Sequence, residues 1–198
     1  MGHWSRSTLI AAIVLTALLL ATYRVHAGCD VVILDFEELR AVDSNTNHGV
    51  GQSYTHDGMT LTAQSSASST PSLDYAGTLA TIFAGSTMLF NDISGGEIIL
   101  TKADGGAFDL LAIALAEVPS FHENGTPVNL GPFDVTFTGT RRNGSTVSQT
   151  VTAQPFPEVS AFKLHGFSQV VRVTWFQGGG GAPGLSTHQF DNVTVRVH

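Results

Sequence analysis

Three carboxylates, Asp35, Glu37 and Asp191, are placed where they could do chemistry together. Asp35 and Glu37 close an early apolar run, DVVILDFEEL, and Asp191 enters a late one, QFDNVTVRV. Calcium takes six to eight oxygen ligands, drawn from carboxylates and from the carbonyls of neighbouring loops. If the two runs are strands lying side by side or face to face, these acids could meet around such an ion. Facing is the obstacle. Asp191 aligns with Val193, Val195 and Val197, whereas Asp35 and Glu37 lie on the opposite side from Leu34 and Phe36, and only a bulge would reconcile the two. The alternative is solvated carboxylates at strand ends.

Other chemistries find less support. His48, His56, His122, His165, His188 and His198 follow the leader segment, none at the i, i+2 or i, i+4 spacing that sets two on one metal, so zinc is not expected and each reads as a loop or surface residue. No G-x-S-x-G elbow is present for a nucleophilic serine. Carboxylate pairs that hydrolyse glycosides are recognised by their separation in space, which leaves Glu117, Glu123 and Glu158, all beside loops, open as members of a cleft. Sugar binding needs exposed aromatics beside polar groups. The candidates are Phe121, Phe156, Phe167, Phe176, Tyr54 and Tyr75, with Trp175 alternating among valines and expected in the core. Asn124, Asn143 and Asn192 head Asn-x-Ser/Thr triplets, which are glycan acceptors only in a eukaryotic secretory pathway.

Residues 1–27 read as an export signal, with Arg6, the apolar run LIAAIVLTALLLA and small residues at Val25-His26-Ala27. The run spans 13 residues, short of the roughly 20 needed to cross a bilayer, so no integral span is expected after cleavage and the product is expected to be secreted. Cys29 follows the cleavage site closely and is the only cysteine, which leaves it lipid-anchored, free or paired with another molecule. Cleavage leaves residues 28–198, the size of one domain. It removes Arg6 and Arg24 but no acid, so nine basic residues fall to seven against sixteen acids and the formal charge becomes −9. With Lys102 and Lys163 as its only lysines, the chain has no basic face for nucleic acid.

The elements that must position these residues are strands. Phe133, Val135 and Phe137 share one face of FDVTFTGTRR, and Val147, Val151 and Ala153 share one face of STVSQTVTA. Asn143-Gly144 between them predicts a two-residue type I′ turn. DVVILDFEEL predicts a strand covered on both faces at its start. Asp43–Gly51 predicts loop, Met59–Ala63 a strand, and Gln64–Ser72 an exposed loop. AFDLLAIALAEV carries good helix formers, yet its alternation and the Asp104-Gly105-Gly106 connection favour a strand entered through a hairpin. The four glycines of residues 178–181 offer no side chains to pack and read as a mobile connection. Seven to nine strands with turns every ten residues or so imply an all-β fold, an antiparallel sandwich of jelly-roll type.

The phrases DFEEL, GGAFDLLAIALAE, DVTFTGTRRNGSTV, VVRVTWFQ and FDNVTV resemble a family of small secreted bacterial proteins that often carry a C-terminal Pro-Glu-Pro sorting tag, which this sequence lacks. More distantly, DFEEL with FDNVTV resembles the first and last strands of jelly-roll, galactose-binding-like carbohydrate-binding modules. That resemblance implies that Glu37 and Asp191 are ligands of a structural calcium. The export signal, the alternating strands and the lack of a catalytic constellation make a glycan or cell-surface polymer the expected partner. The expected function is a secreted, non-catalytic binding or envelope-associated module. The alternative is a small polysaccharide hydrolase or lyase on the same scaffold.

Overall fold

The alternating runs around Asn143-Gly144 do pair as a hairpin, with β11 (Phe133–Arg141) antiparallel to β12 (Thr146–Ala153) from Phe133↔Ala153 to Thr140↔Thr146. The turn differs from the expected one. Gly144 N–H donates to the Arg141 carbonyl at 2.9 Å and Arg141 N–H to the Ser145 carbonyl at 2.9 Å, and only Gly144, at φ 83°, is left-handed. This is a type I turn closed by a glycine bulge. The type I′ turn occurs instead at Asp57-Gly58, where both residues have positive φ and His56 pairs with Met59.

The structure, a computed structural model, describes residues 29–65, 69–93, 95–121, 127–128, 131–177 and 187–198. The expected signal segment, residues 1–27, and the glycine run, residues 178–181, lie outside them. The remaining strands are β1 (Asp30–Leu34), β2 (Asn47–Gly51), β3 (Ser53–His56), β4 (Met59–Gln64), β5 (Leu73–Ala76), β6 (Leu89–Asn91), β7 (Glu97–Lys102), β8 (Phe108–Val118), β9 (Ser120–Phe121), β10 (Pro127–Val128), β13 (Ser160–Lys163), β14 (Val170–Phe176) and β15 (Thr187–Val197). The helical content among described residues is one 3₁₀ turn, Glu37–Leu39, and no helix there is long and apolar enough to cross a membrane.

Two antiparallel layers result. The first has the order β3-β4-β7-β14-β11-β12. The second runs β2-β5-β6-β15-β8-β13, with β1 also on β15, and among the described residues the layers share one ladder pair, Val170↔Phe108 between β14 and β8. The all-β sandwich is thus the observed architecture. The segment Phe108–Val118 is a strand, as its alternation predicted, but it is not reached by a hairpin. β7 lies in the first layer and β8 in the second, so Asp104-Gly105-Gly106 crosses between layers. The segment read as loop before Gly51 contains β2, whose alternating glycines hid its period.

Between the layers, Trp175 meets Phe190 edge to face at 5.1 Å and Phe137 at 5.4 Å, with Phe36 against Phe190 at 5.9 Å. Trp175 is fully buried, as expected. A second cluster sits on the outer face of the second layer, where Ile82 from the 77–88 connection packs with Ala76 and Phe90, while Gln189 Nε2 donates to the Ile82 carbonyl at 2.9 Å. β1 is covered on one face only, since Val31 and Ile33 are 55% and 52% exposed. This corrects the expectation of a strand buried on both sides.

Candidate functional site

Glu37 and Asp191 are brought to the same short segment, Ser86-Thr87. Beyond β1 the chain turns at Phe36, whose φ of 55° is rare for a bulky residue but seats its ring in the core against Tyr54 and Phe190. Glu37 then heads the 3₁₀ turn. Its Oε1 accepts the Thr87 N–H at 2.9 Å and its Oε2 an Arg40 N–H at 3.0 Å. Asp191 Oδ2 accepts the Ser86 hydroxyl at 2.8 Å and Asn192 Nδ2 at 2.9 Å, and Oδ1 accepts the Asn192 N–H at 2.6 Å.

The facing obstacle is removed by a bulge. The register of β15 on β8 shifts between Asp191 and Thr194, with Asn192 at φ 50°. The extra residue reverses parity, so Phe190, Val193 and Val195 point inward while Asp191 sits on the outer face under the 77–88 connection.

The two carboxyls are pushed in opposite directions. Burial raises Asp191, the Ser86 and Asn192 hydrogen bonds oppose this, and the charges of Glu37 and Asp35 reinforce it, for a pKa of about 6. The Thr87 N–H holds Glu37 below its ordinary value against a smaller burial effect, with help from Arg40. Among the described residues no group of three or more His, Cys, Asp or Glu is arranged to hold a metal ion.

A second candidate lies where β4 and β14 end and β7 begins. The registers Gln64↔Glu97 and Glu97↔Phe176 put three side chains in one row across the outer face of the first layer. Phe176 is 54% exposed, and a cavity of about 290 Å³ is lined by it with Gln64, Ser65, Gly95 and Glu97. Arg172, four residues before Phe176 on the same face of β14, approaches Glu97 at 3.4 Å. Beyond this row the face is a hydroxyl lattice. The registers align Ser53, Thr62, Ile99, Thr174, Thr138 and Ser148 in one row, and they also align Thr55 with Thr60 and Thr101, and Arg172 with Thr140 and Thr146. Each hydroxyl can donate and accept. An apolar ring beside such groups suits a polyhydroxylated ligand with apolar CH faces.

Of the sequence candidates, Phe167 is buried in the core, Tyr75 stacks on His48 at 5.3 Å and Tyr54 packs on Phe36, so none of these is a platform. Phe156 is partly exposed, while the side chains of Phe121, His122 and Glu123 and the Asn124 triplet lie outside the described residues. Glu117 is fully buried and accepts the Phe156 N–H at 2.9 Å, so it faces no open cleft. His188, expected at the surface, is also fully buried. It stacks on Phe133 at 5.8 Å, lies opposite Glu117 in register, and neither ring nitrogen has a partner. Burial pushes its pKa down to about 3. Gln64, Glu97 and Arg172 were invisible as a group in the sequence, because cross-strand pairing alone unites them.

No family model and no curated protein matches the sequence. Among solved structures, the chain is similar to a variant of a family 29 carbohydrate-binding module complexed with mannohexaose, with a TM-score of 0.45 and 12% identity over 85% of this chain and 91% of that one. A second variant of that module gives 0.44 and 10% over 85% of each chain. A family 32 module from C. perfringens NanJ in complex with galactose gives 0.40 and 13% over 75% of this chain and 99% of that one. At such identities no site residue is carried over from them, and the site is argued from this chain's own geometry.

Proposed function

We propose that this chain is a secreted, non-catalytic binding module that takes a glycan on the outer face of its first layer. The observation that carries this reading is Phe176, a large aromatic left half-exposed at the mouth of a cavity and aligned in register with Gln64 and Glu97. The ring would cover the apolar face of a sugar, while Gln64, Glu97 and Arg172 would hydrogen-bond its hydroxyls. Titrating the purified protein with soluble polysaccharides tests it. Binding that falls at least tenfold in Phe176→Ala, with unchanged melting, supports the reading; no binding to any glycan overturns it.

We also propose that Glu37 and Asp191 hold a structural calcium. Both are oxygen donors drawn to one segment, and Asp191 is a buried carboxyl facing two further acids, an arrangement that a cation would relieve. The Thr87 hydroxyl is buried beside Glu37, a further oxygen within the same segment. The remaining ligands would be backbone carbonyls.

A further inference from the structure

The two ends of the domain meet on the second layer. β1 pairs with β15 in the register Asp30↔Val197, which brings Cys29, just before β1, level with His198, just after β15. The Cys29 sulfur lies 3.4 Å from His198 Nδ1, and His198 Nε2 lies 2.8 Å from Asp109 Oδ1. Asp109 belongs to β8 and is itself held in place. It accepts the Gln169 N–H at 2.9 Å, and Arg196, opposite it in register, approaches its Oδ2 at 3.5 Å. Burial raises the Asp109 carboxyl, but the hydrogen bonds from His198 and Gln169 and the charge of Arg196 help to outweigh it and keep it ionised at neutral pH. An ionised carboxylate only accepts, so His198 carries its proton on Nε2 and turns the lone pair of Nδ1 toward the sulfur.

The sulfur is thus one member of a relay gathered where the chain enters β1, leaves β15 and runs through β8, with a nucleophile, a base within reach of it and a carboxylate that orients the base. Its surroundings hold cations as well as acids. Arg196 lies beside Asp109, Lys102 Nζ donates to the His198 carbonyl at 3.3 Å and pairs with Asp104 at 3.1 Å, and Asp30 is next in the chain. Cys29 itself is exposed. An accessible thiol next to a proton acceptor is the environment in which thiolate chemistry is selective. Thiol–disulfide exchange needs nothing further from the protein than that proton transfer.

We propose that Cys29, deprotonated by His198 with Asp109 as positioning residue, is a nucleophilic thiol that exchanges with a disulfide and so takes a thiol-bearing molecule covalently onto this edge of the sandwich. The Cys29 proton passes to His198 Nδ1, and the thiolate attacks one sulfur of the disulfide. A new S–S bond forms as the old one breaks, and the departing thiolate takes the proton back from the imidazolium. No external oxidant or reductant is consumed.

The test uses the exported protein with glutathione disulfide and, separately, iodoacetamide, followed by intact mass at pH 6, 7 and 9. The expected product is one glutathione per chain at Cys29, with one equivalent of glutathione released. Because His198 stands within reach of the thiol proton, the wild-type alkylation rate at pH 6 should exceed that of His198→Gln about tenfold and approach it by pH 9. Asp109→Asn should shift the pH profile in the same sense as His198→Gln, and melting curves would show that both variants are folded. His198 ends the described chain outside every strand, so that variant keeps the test valid even if Asp109→Asn unfolds. Equal rates for wild type and His198→Gln at every pH overturn the proposal, as does an exported protein whose Cys29 is already blocked by a lipid.

Discussion

Replacing His188 by Leu should make this protein both more stable and less sensitive to acid. In the folded state His188 is fully buried with both ring nitrogens unpartnered, and its pKa falls from 6.5 to about 3. A depressed pKa means that the unfolded chain binds a proton which the folded one refuses. Stability is therefore intact above pH 6.5 and declines as pH falls toward the folded value. At pH 5 the histidine lies 1.5 units below its unfolded pKa, which at about 1.4 kcal/mol per unit costs about 2 kcal/mol. Near pH 3 the loss approaches 5 kcal/mol, comparable to the whole stability of many domains. Leucine has no proton to refuse. It also removes two polar atoms whose unpaired burial costs about 1–3 kcal/mol each, against about 1 kcal/mol lost with the Phe133 stack. Urea unfolding at pH 7 and pH 5 can be followed through Trp175, the only tryptophan after residue 27. Wild type should lose about 2 kcal/mol more than the variant over that interval. The raised Asp191 and lowered Glu37 carboxyls titrate in both proteins and cancel in the difference. Equal losses would refute the reasoning and would mean that a protonated His188 finds its cross-strand neighbour Glu117 as a counter-ion.

Calcium at a hundredfold excess over its dissociation constant should stabilise the wild type by about 2.7 kcal/mol, seen as a rise in melting temperature that Asp191→Asn or Glu37→Gln abolishes. Trp175→Ala should cost about 3–5 kcal/mol in urea unfolding, because Phe137 and Phe190 both pack on that ring. Gly139→Ala should destabilise by about 1–3 kcal/mol, since its Cβ would stand 2.8 Å from Phe167 and 2.9 Å from Val170, both buried. Gly144→Ala should cost about 1 kcal/mol through its positive φ alone, as nothing lies within 4 Å of the new Cβ.

What this sequence determined by itself was local. A period of two over Phe133–Phe137 and Val147–Ala153 specifies strands, because burial on one face is written in alternate residues, and the same period decided Phe108–Val118 against helix in spite of its helix formers. The tertiary structure alone decided which strands are neighbours, and with them which side chains converge. Gln64, Glu97 and Phe176 form a row only because β4, β7 and β14 pair in that register, and Cys29 reaches His198 across 169 positions because β1 closes on β15. The sense of Asp191 also depended on context. The alternation of FDNVTVRV sends it inward with the valines, and a bulge at Asn192, visible only where β15 lies on β8, turns it out to Ser86. Alternation reports burial residue by residue. Pairing, parity across a bulge and convergence at a sheet edge are properties of two strands at once, and no single stretch of chain encodes them.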